Sequence, residues 1–93
     1  LGMGKTPQQP KKLTLDRHAD RRDITISWEP VKGAQGYNVL WGIAPDKLYS
    51  SWMVYGNNEL LMKSLTTDQD YYFCVEAFNE NGVSLRSEVK HVK

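Results

Sequence analysis

The sequence has little cysteine, no excess of charge of one sign and no long apolar run. Its single cysteine excludes an internal disulfide, and its two histidines, His18 and His91, lack the spacing of a zinc site. The formal net charge of +1 comes from mixed charges and gives no electrostatic signature for nucleic acid or an acidic membrane. No apolar run approaches the length of a membrane span. We therefore expect no metal, no cofactor, no nucleic-acid partner and no membrane insertion.

The 93 residues suffice for one small domain with a single core. The chain begins with Leu1 rather than Met and ends close to its last predicted strand, so we expect a module of a longer protein that is monomeric when isolated. Residues 1–11 contain two glycines and two prolines without any period, which indicates an interdomain linker. Residues 12–93 are predicted to form the folded domain.

The most informative stretch runs from Tyr71 to Phe78, where side chains alternate with the period of two that a half-buried strand requires. Tyr71 begins this strand after a polar corner, and its buried hydroxyl is expected to need a backbone acceptor. The sequence Asn-Glu-Asn-Gly at 79–82 predicts a tight hairpin, so a partner strand should return from Val83.

Six further short strands are predicted on either side of this one. Trp28 is expected to anchor the core, together with Leu13, Leu15, Ile24, Ile26, Tyr37, Val39 and Trp41. In the fifth strand the run Leu60-Leu61-Met62 has no clear period. We expect Leu61 to be buried there, with either Leu60 or Met62. The predicted strands lie at 12–15, 24–29, 37–41, 48–55, 59–65, 71–78 and 83–92, which indicates an all-β, immunoglobulin-like sandwich of two antiparallel sheets.

Three motifs in this order resemble the fibronectin type III domain. They are Ile24-Thr-Ile-Ser-Trp28, Gly36-Tyr-Asn-Val-Leu-Trp41, and the pattern Leu-x5-Tyr-x-Phe-x-Val-x-Ala-x-Asn-x-x-Gly from Leu65 to Gly82. The resemblance extends from about Leu13 to Val92 and implies a seven-stranded sandwich. Thr67-Asp68 stands where the family often has Pro-Gly, which implies a looser corner before Tyr71.

A docking surface is predicted on the outward side of the central strands. If Tyr71 and Phe73 point inward, then Tyr72, Cys74 and Phe78 point outward, and Leu40 lies beside them on the third strand. Contiguous exposed apolar area usually marks an interface, so these four residues are candidates for contact with a neighbouring domain of the same polypeptide. The alternative is that these are ordinary surface apolar groups covered by neighbouring side chains.

Tyr49, Trp52 and Tyr55 are candidate sugar contacts, because aromatic faces can stack on the C–H surfaces of sugar rings. Their spacing places Trp52 on the opposite side of the strand from the two tyrosines, so a regular strand does not present all three together.

Asp68 and Asp70 could be read as an acid and base pair, but they lie on a predicted turn and not in a cleft. No phosphate loop, nucleophile elbow or metal cluster is evident, so the domain itself is not expected to be an enzyme.

The stretch from Gly36 to Ser50, with Asp70-Tyr-Tyr-Phe and Glu76-Ala-Phe-Asn-Glu-Asn-Gly82, is similar to the C-terminal type III modules of bacterial glycoside hydrolases that degrade xylan and arabinan. This resemblance implies a non-catalytic spacer or docking module of a secreted, periplasmic or surface enzyme, with the catalytic carboxylates in another domain. The alternative is an independent module that binds carbohydrate, such as polysaccharide, or protein. An adhesion or receptor repeat is disfavoured, because the Arg-Gly-Asp and paired Trp-Ser signatures are missing.

Overall fold

The computed structural model describes residues 5–93 and contains eight strands. Three of them form one sheet in the order β1-β2-β5, and the others form a second sheet in the order β4-β3-β6-β7, with β8 also paired to β6. All strand pairs are antiparallel, and the two sheets pack as a sandwich without any helix in the described residues. The strands are β1 (Thr14–Arg17), β2 (Ile24–Ser27), β3 (Gly36–Gly42), β4 (Ser50–Tyr55), β5 (Glu59–Met62), β6 (Tyr71–Asn79), β7 (Gly82–Val83) and β8 (Lys90–Val92).

The core lies between the two sheets and is formed by the inward residues of each alternating strand. Trp28 is buried there, as predicted, and its ring meets that of Tyr37 edge-on at a centroid distance of 5.1 Å. The other buried apolar residues include Leu13, Ile24, Ile26, Val39, Val54, Met62, Leu65, Tyr71, Phe73, Val75 and Ala77. Burial of these side chains supplies the main driving force for folding, because each removes apolar area from water.

The strand boundaries differ from the predictions in several strands. β2 ends at Ser27 and β5 ends at Met62, both earlier than predicted. β1 begins at Thr14, and β4 begins at Ser50. The predicted seventh strand is divided into β7 and β8, which both pair with β6. Between them, the backbone N–H groups of Ser84 and Ser87 donate hydrogen bonds of 2.8 Å to carbonyls of β6. Residues 84–89 therefore remain hydrogen-bonded to β6 at two positions, although they do not form a regular strand.

The predicted orientation of Leu61 is wrong. Leu61 is largely exposed, whereas Met62 is buried and Leu60 packs against the core. The pairing of β5 with β2 decides this, because Leu60 lies opposite Ile26 and Met62 lies opposite Ile24. Residues directly opposite one another in an antiparallel pair share a face, so the two buried isoleucines place these residues inward.

The corner before β6 is closed by the Tyr71 hydroxyl. This hydroxyl accepts a hydrogen bond of 2.9 Å from the backbone N–H of Thr66, so its backbone partner is a donor and not the acceptor we expected. Arg17 adds to the closure, since its guanidinium donates to the carbonyls of Thr66 and Gln69 at 2.7 and 2.8 Å. The same guanidinium lies 5.3 Å from the centre of the Tyr71 ring, within cation–π range.

The hairpin after β6 has the predicted position. Asn79 and Gly82 are partners in the ladder, and Phe78 lies opposite Val83. The Asn79 side chain accepts a hydrogen bond of 2.8 Å from the backbone N–H of Asn81. Within residues 79–82, Gly82 alone has a positive φ, at 135°. This conformation favours glycine and explains the residue type at the end of the turn.

The described part of the predicted linker, residues 5–11, lies along the domain. Pro7 and Pro10 are buried, and the Gln9 side chain donates a hydrogen bond of 2.6 Å to the Arg86 carbonyl. Lys5 accepts hydrogen bonds through its carbonyl from the side chains of Asn79 and Asn81. The remainder of that prediction, residues 1–4, lies outside the described residues. The connecting role of this segment stays a prediction.

Candidate functional site

The outer face of the five-stranded sheet, which is turned away from the three-stranded sheet, carries a row of apolar residues across four strands. Tyr55 of β4 is the partner of Gly36 of β3, which is also the partner of Phe78 of β6. Phe78 is in turn the partner of Val83 of β7. Because directly opposed residues share a face, Tyr55, Phe78 and Val83 form one line, which we call the outer row.

Gly36 allows the aromatic members of the outer row to approach each other. The rings of Tyr55 and Phe78 meet edge-on with a centroid distance of 5.6 Å. A Cβ on residue 36 would lie 2.7 Å from Cζ of Phe78 and 2.9 Å from the carbonyl oxygen of Val54. The position therefore requires glycine for steric reasons. Tyr55 and Val83 remain 65% and 51% exposed, so the row presents apolar surface to solvent.

A polar row lies next to the outer row on the same face. The Asn38 amide donates a hydrogen bond of 3.1 Å to the Glu76 carboxylate, and the Arg86 guanidinium contacts the other oxygen of that carboxylate at 3.4 Å. The Glu76 side chain is only 14% exposed in this pair. The polar row separates Phe78 from Leu40 and Cys74 on β3 and β6, whereas on β4 the exposed Met53, the partner of Asn38, lies beside that row.

The four predicted docking residues all belong to the outer face, but they do not form one exposed surface. Leu40 lies opposite Cys74 beyond the polar row, and it is half-buried. Tyr72 is also half-buried, because its ring stacks on that of His91 with centroids 4.8 Å apart. Phe78 is half-buried and belongs to the outer row. Neighbouring side chains thus cover much of the area that the sequence assigned to a docking surface.

Cys74 lies on the outward side of β6 and is fully covered, which is the alternative that the sequence left open. Cys74 has no solvent exposure, because it lies in the middle of β6 with strands or strand-like segments on both sides. Burial raises the pKa of the Cys74 thiol, and Glu76 adds to this rise while the Arg86 guanidinium opposes it. A buried thiol with a raised pKa has little thiolate, so this cysteine is unsuited to nucleophilic or redox chemistry.

The aromatic residues proposed as sugar contacts are separated, as their spacing predicted. Trp52 is the partner of Val39 and therefore lies on the inner side of β4, whereas Tyr55 is the partner of Gly36 on the outer face. Tyr49 precedes β4 and is 85% exposed. The three rings cannot serve as one stacking platform.

Trp52 borders an apolar groove at the open edge between the two sheets. The groove has a volume of about 310 Å³ and is lined by Trp52, Leu60, Leu61, Met62 and Lys63. The sequence did not indicate this groove, since it depends on how β5 lies below β4. If the sequence had shown which residues of β5 face outward, the exposed Leu61 would have indicated this groove.

Asp68 and Asp70 do not form a catalytic pair. The carboxylate of Asp70 contacts Nε2 of His91 at 3.1 Å, with both side chains partly exposed, and Asp68 is exposed.

Among residues 5–93, no group of three or more His, Cys, Asp and Glu residues could hold a metal ion. No helix in the same residues is long and apolar enough to cross a membrane. What the outer face and the groove offer is apolar contact.

Comparison with known proteins gives a consistent family match. The family model of the fibronectin type III domain matches residues 8–93. No curated protein matches the chain. The fold is similar to that of a Fn3-like protein from Clostridium thermocellum, with 18% identity, a TM-score of 0.80, and coverage of 96% of this chain and 91% of that one.

Two animal structures have the same fold. The FN5 domain of Drosophila Lar is 23% identical, with a TM-score of 0.75 and coverage of 94% of this chain and 95% of that one. The chicken CNTN1 FN1-FN3 domains are 22% identical, with a TM-score of 0.81 and coverage of 94% of this chain. This chain spans only 32% of the CNTN1 chain.

Proposed function

Because the chain belongs to the fibronectin type III family, we propose that it is a non-catalytic module that docks against a neighbouring domain of the same polypeptide. The observation that carries this proposal is the exposed apolar outer row of Tyr55, Phe78 and Val83. An apolar cluster of this kind on a small domain is typical of an interface. A neighbouring domain that covered the row would gain free energy from the apolar area removed from water.

The outer row suits a domain interface because its geometry is fixed before contact. The Tyr55 and Phe78 rings already support each other over Gly36, so little side-chain freedom remains to be lost on docking. Preorganised side chains bind with a smaller entropic cost. The polar row with Asn38, Glu76 and Arg86 gives the interface a hydrogen-bonding border.

We further propose that the parent protein is an exported bacterial glycoside hydrolase acting on a plant polysaccharide such as xylan or arabinan. The support is the resemblance of the stretch from Gly36 to Ser50, and of the segments around Tyr71 and Glu76, to type III modules of such enzymes. The occurrence of the same fold in a Fn3-like protein from Clostridium thermocellum fits a bacterial source. In this proposal the module works outside the cytoplasm, in the periplasm, at the cell surface or in the medium.

Replacement of the outer-row rings tests the docking proposal. In the parent protein, Tyr55→Ser with Phe78→Ser should leave the module folded while increasing the mobility of the module relative to its neighbour. Tyr49→Ser is the control, since it removes an exposed ring that lies outside the outer row. The double variant Tyr72→Ser with Phe78→Ser tests the docking surface predicted from sequence. Unchanged attachment in both double variants, measured by limited proteolysis and rotational diffusion, rejects docking through this face.

A second candidate function is sugar binding at Trp52, favoured by the exposed indole beside the apolar groove. Xylan or arabinan fragments should then perturb Trp fluorescence and the amide signals around the groove, and Trp52→Ala should remove the response. Trp28 and Trp41 are in or against the core and serve as internal references. No perturbation at about millimolar sugar, corresponding to a binding free energy of about −4 kcal/mol, rejects this function.

A further inference from the structure

Strand β4 forms an open edge of the five-stranded sheet. It pairs with β3 through all six of its residues, from Ser50 to Tyr55, and within the described residues no strand pairs with its other side. An edge strand presents unpaired N–H and C=O groups that can pair with another strand. The open side of β4 is therefore a site for strand addition.

This edge lacks the features that usually prevent such addition. Residues 48–55 read Leu-Tyr-Ser-Ser-Trp-Met-Val-Tyr and contain no Lys, Arg, Asp, Glu or Pro. The other edge strands differ, since β1 contains Asp16 and Arg17, β5 begins with Glu59, β8 contains Lys90 and His91, and β7 has only two residues. Charges and short strands are the means by which proteins protect edges from pairing. Strand β4 has neither.

We propose that β4 pairs with β4 of a second copy of this chain in an antiparallel, two-fold symmetric contact. The pairing would join two five-stranded sheets into one continuous sheet. The contact lies at the edge of the sheet, so this proposal goes beyond the proposed docking through the outer face. It also departs from the monomer expected from the sequence, which did not indicate which strand lies at the edge.

The side on which each residue lies limits the register of this contact. Opposed residues must share a face, so the two-fold axis lies at a residue of β4 and not between two residues. The registers that pair the most residues of the strand place the axis at Met53 or Trp52. With Met53 at the axis, Trp52 lies opposite Val54 of the second copy, and Ser51 lies opposite Tyr55. Each of these pairs is uncharged, and an aromatic or large apolar side chain contributes to most of them. Such pairs stabilise a sheet, whereas like charges at an axis would oppose it.

The edge of the other sheet has complementary charges for the same symmetry. Strand β5 begins with Glu59, and Lys63 follows its last residue, with the exposed Leu61 between them. A two-fold axis perpendicular to the strands exchanges their ends, which brings Glu59 of one copy to the side of Lys63 of the other. The groove at Trp52 and Leu61 would then adjoin its symmetry mate, so exposed apolar surface from both copies is brought together.

A contact centred on one six-residue strand is smaller than a standard interface, so we expect a weak dimer. Sedimentation equilibrium of this chain between about 10 µM and about 1 mM should show a mass rising from 10.7 kDa toward twice that value. Amide exchange in β4 should slow with concentration, while exchange in β8 should not.

Met53→Lys places charge at the edge on an exposed position and should weaken the dimer by tenfold or more. Leu85→Lys is the matched control, because Leu85 is exposed outside β4, and this variant should dimerise like the parent chain. Native amide spectra of both variants establish that they are folded. A constant monomer mass to about 1 mM overturns the proposal. So does equal weakening by both variants, or a dimer in which β4 exchange is unchanged.

Discussion

The ring of Phe78 lies directly over Gly36, with Cζ of Phe78 only 2.7 Å from the point that a Cβ on Gly36 would occupy. The two residues are ladder partners on neighbouring strands, and the missing side chain of Gly36 leaves the space in which Phe78 meets Tyr55. The outer row thus depends on a glycine within a strand, where glycine is otherwise unfavourable.

Gly36→Ala should destabilise the domain by about 1 to 3 kcal/mol, because the added methyl overlaps Phe78 and the Val54 carbonyl. Phe78→Leu removes part of that conflict, so the double variant should lose less stability than the sum of the single variants. Urea unfolding of the three variants measures this coupling. Additive losses would contradict the close approach of the two residues.

Tyr71→Phe should cost about 1 to 3 kcal/mol, because the Thr66 N–H loses its partner at the partly buried corner. Tyr37→Phe should have an effect of similar size, since the Tyr37 hydroxyl accepts a hydrogen bond of 2.8 Å from the Val31 N–H. Tyr49→Phe, at a highly exposed position, is the control and should change stability little. Thermal unfolding that ranks Tyr49→Phe with the other two would show that the hydroxyl contacts are not responsible.

Arg17→Lys should destabilise the corner by about 1 kcal/mol despite the retained charge, because an ammonium cannot reproduce the planar fork that contacts Thr66 and Gln69. Arg22→Lys provides the comparison, as Arg22 is exposed and adjoins the same corner. Hydrogen exchange of the Thr66 and Gln69 amides should accelerate in the first variant. Equal exchange in the two variants would mean that Arg17 does not hold the corner.

The domain should lose stability at alkaline pH through Cys74. Burial raises the pKa of this thiol in the folded state, so its contribution to stability is complete below the ordinary thiol pKa. That contribution is lost as the pH rises through the raised pKa. Cys74→Ala should flatten the alkaline decline in denaturation midpoints, and native labelling of the thiol should be far slower than in a peptide. A decline identical in Cys74→Ala would assign it to other groups.

The alternation of side chains along each strand, with a period of two residues, made much of the fold predictable. It identified the inward residues of β2 and β6 correctly, since Ile24 and Ile26 in β2 and Tyr71, Phe73, Val75 and Ala77 in β6 are buried. In β5 three consecutive apolar residues carry no such signal, and only the pairing with β2 shows that Leu61 faces solvent. The sequence of β5 alone could not show whether Leu61 is buried or exposed.

The candidate site was less predictable, because it depends on register between distant strands. Alternation gave the correct side of β6 for Phe78 and Cys74, but it could not show that Cys74 is covered while Phe78 contacts Tyr55. Val83 joins the outer row only through the hairpin register. The face of the sheet on which a side chain lies follows from the alternation within its own strand. Whether neighbouring residues cover that side chain depends on the register of the whole sheet.

The amide spectrum of this domain, alone and attached through residues 1–11 to the proposed N-terminal neighbour, tests the central claim of docking most directly. Docking through the outer face should shift the amide signals of Tyr55, Phe78 and Val83 and leave those of β1 and β2 unchanged. Signals that are unchanged beyond the connecting segment would contradict docking and indicate a freely tethered module.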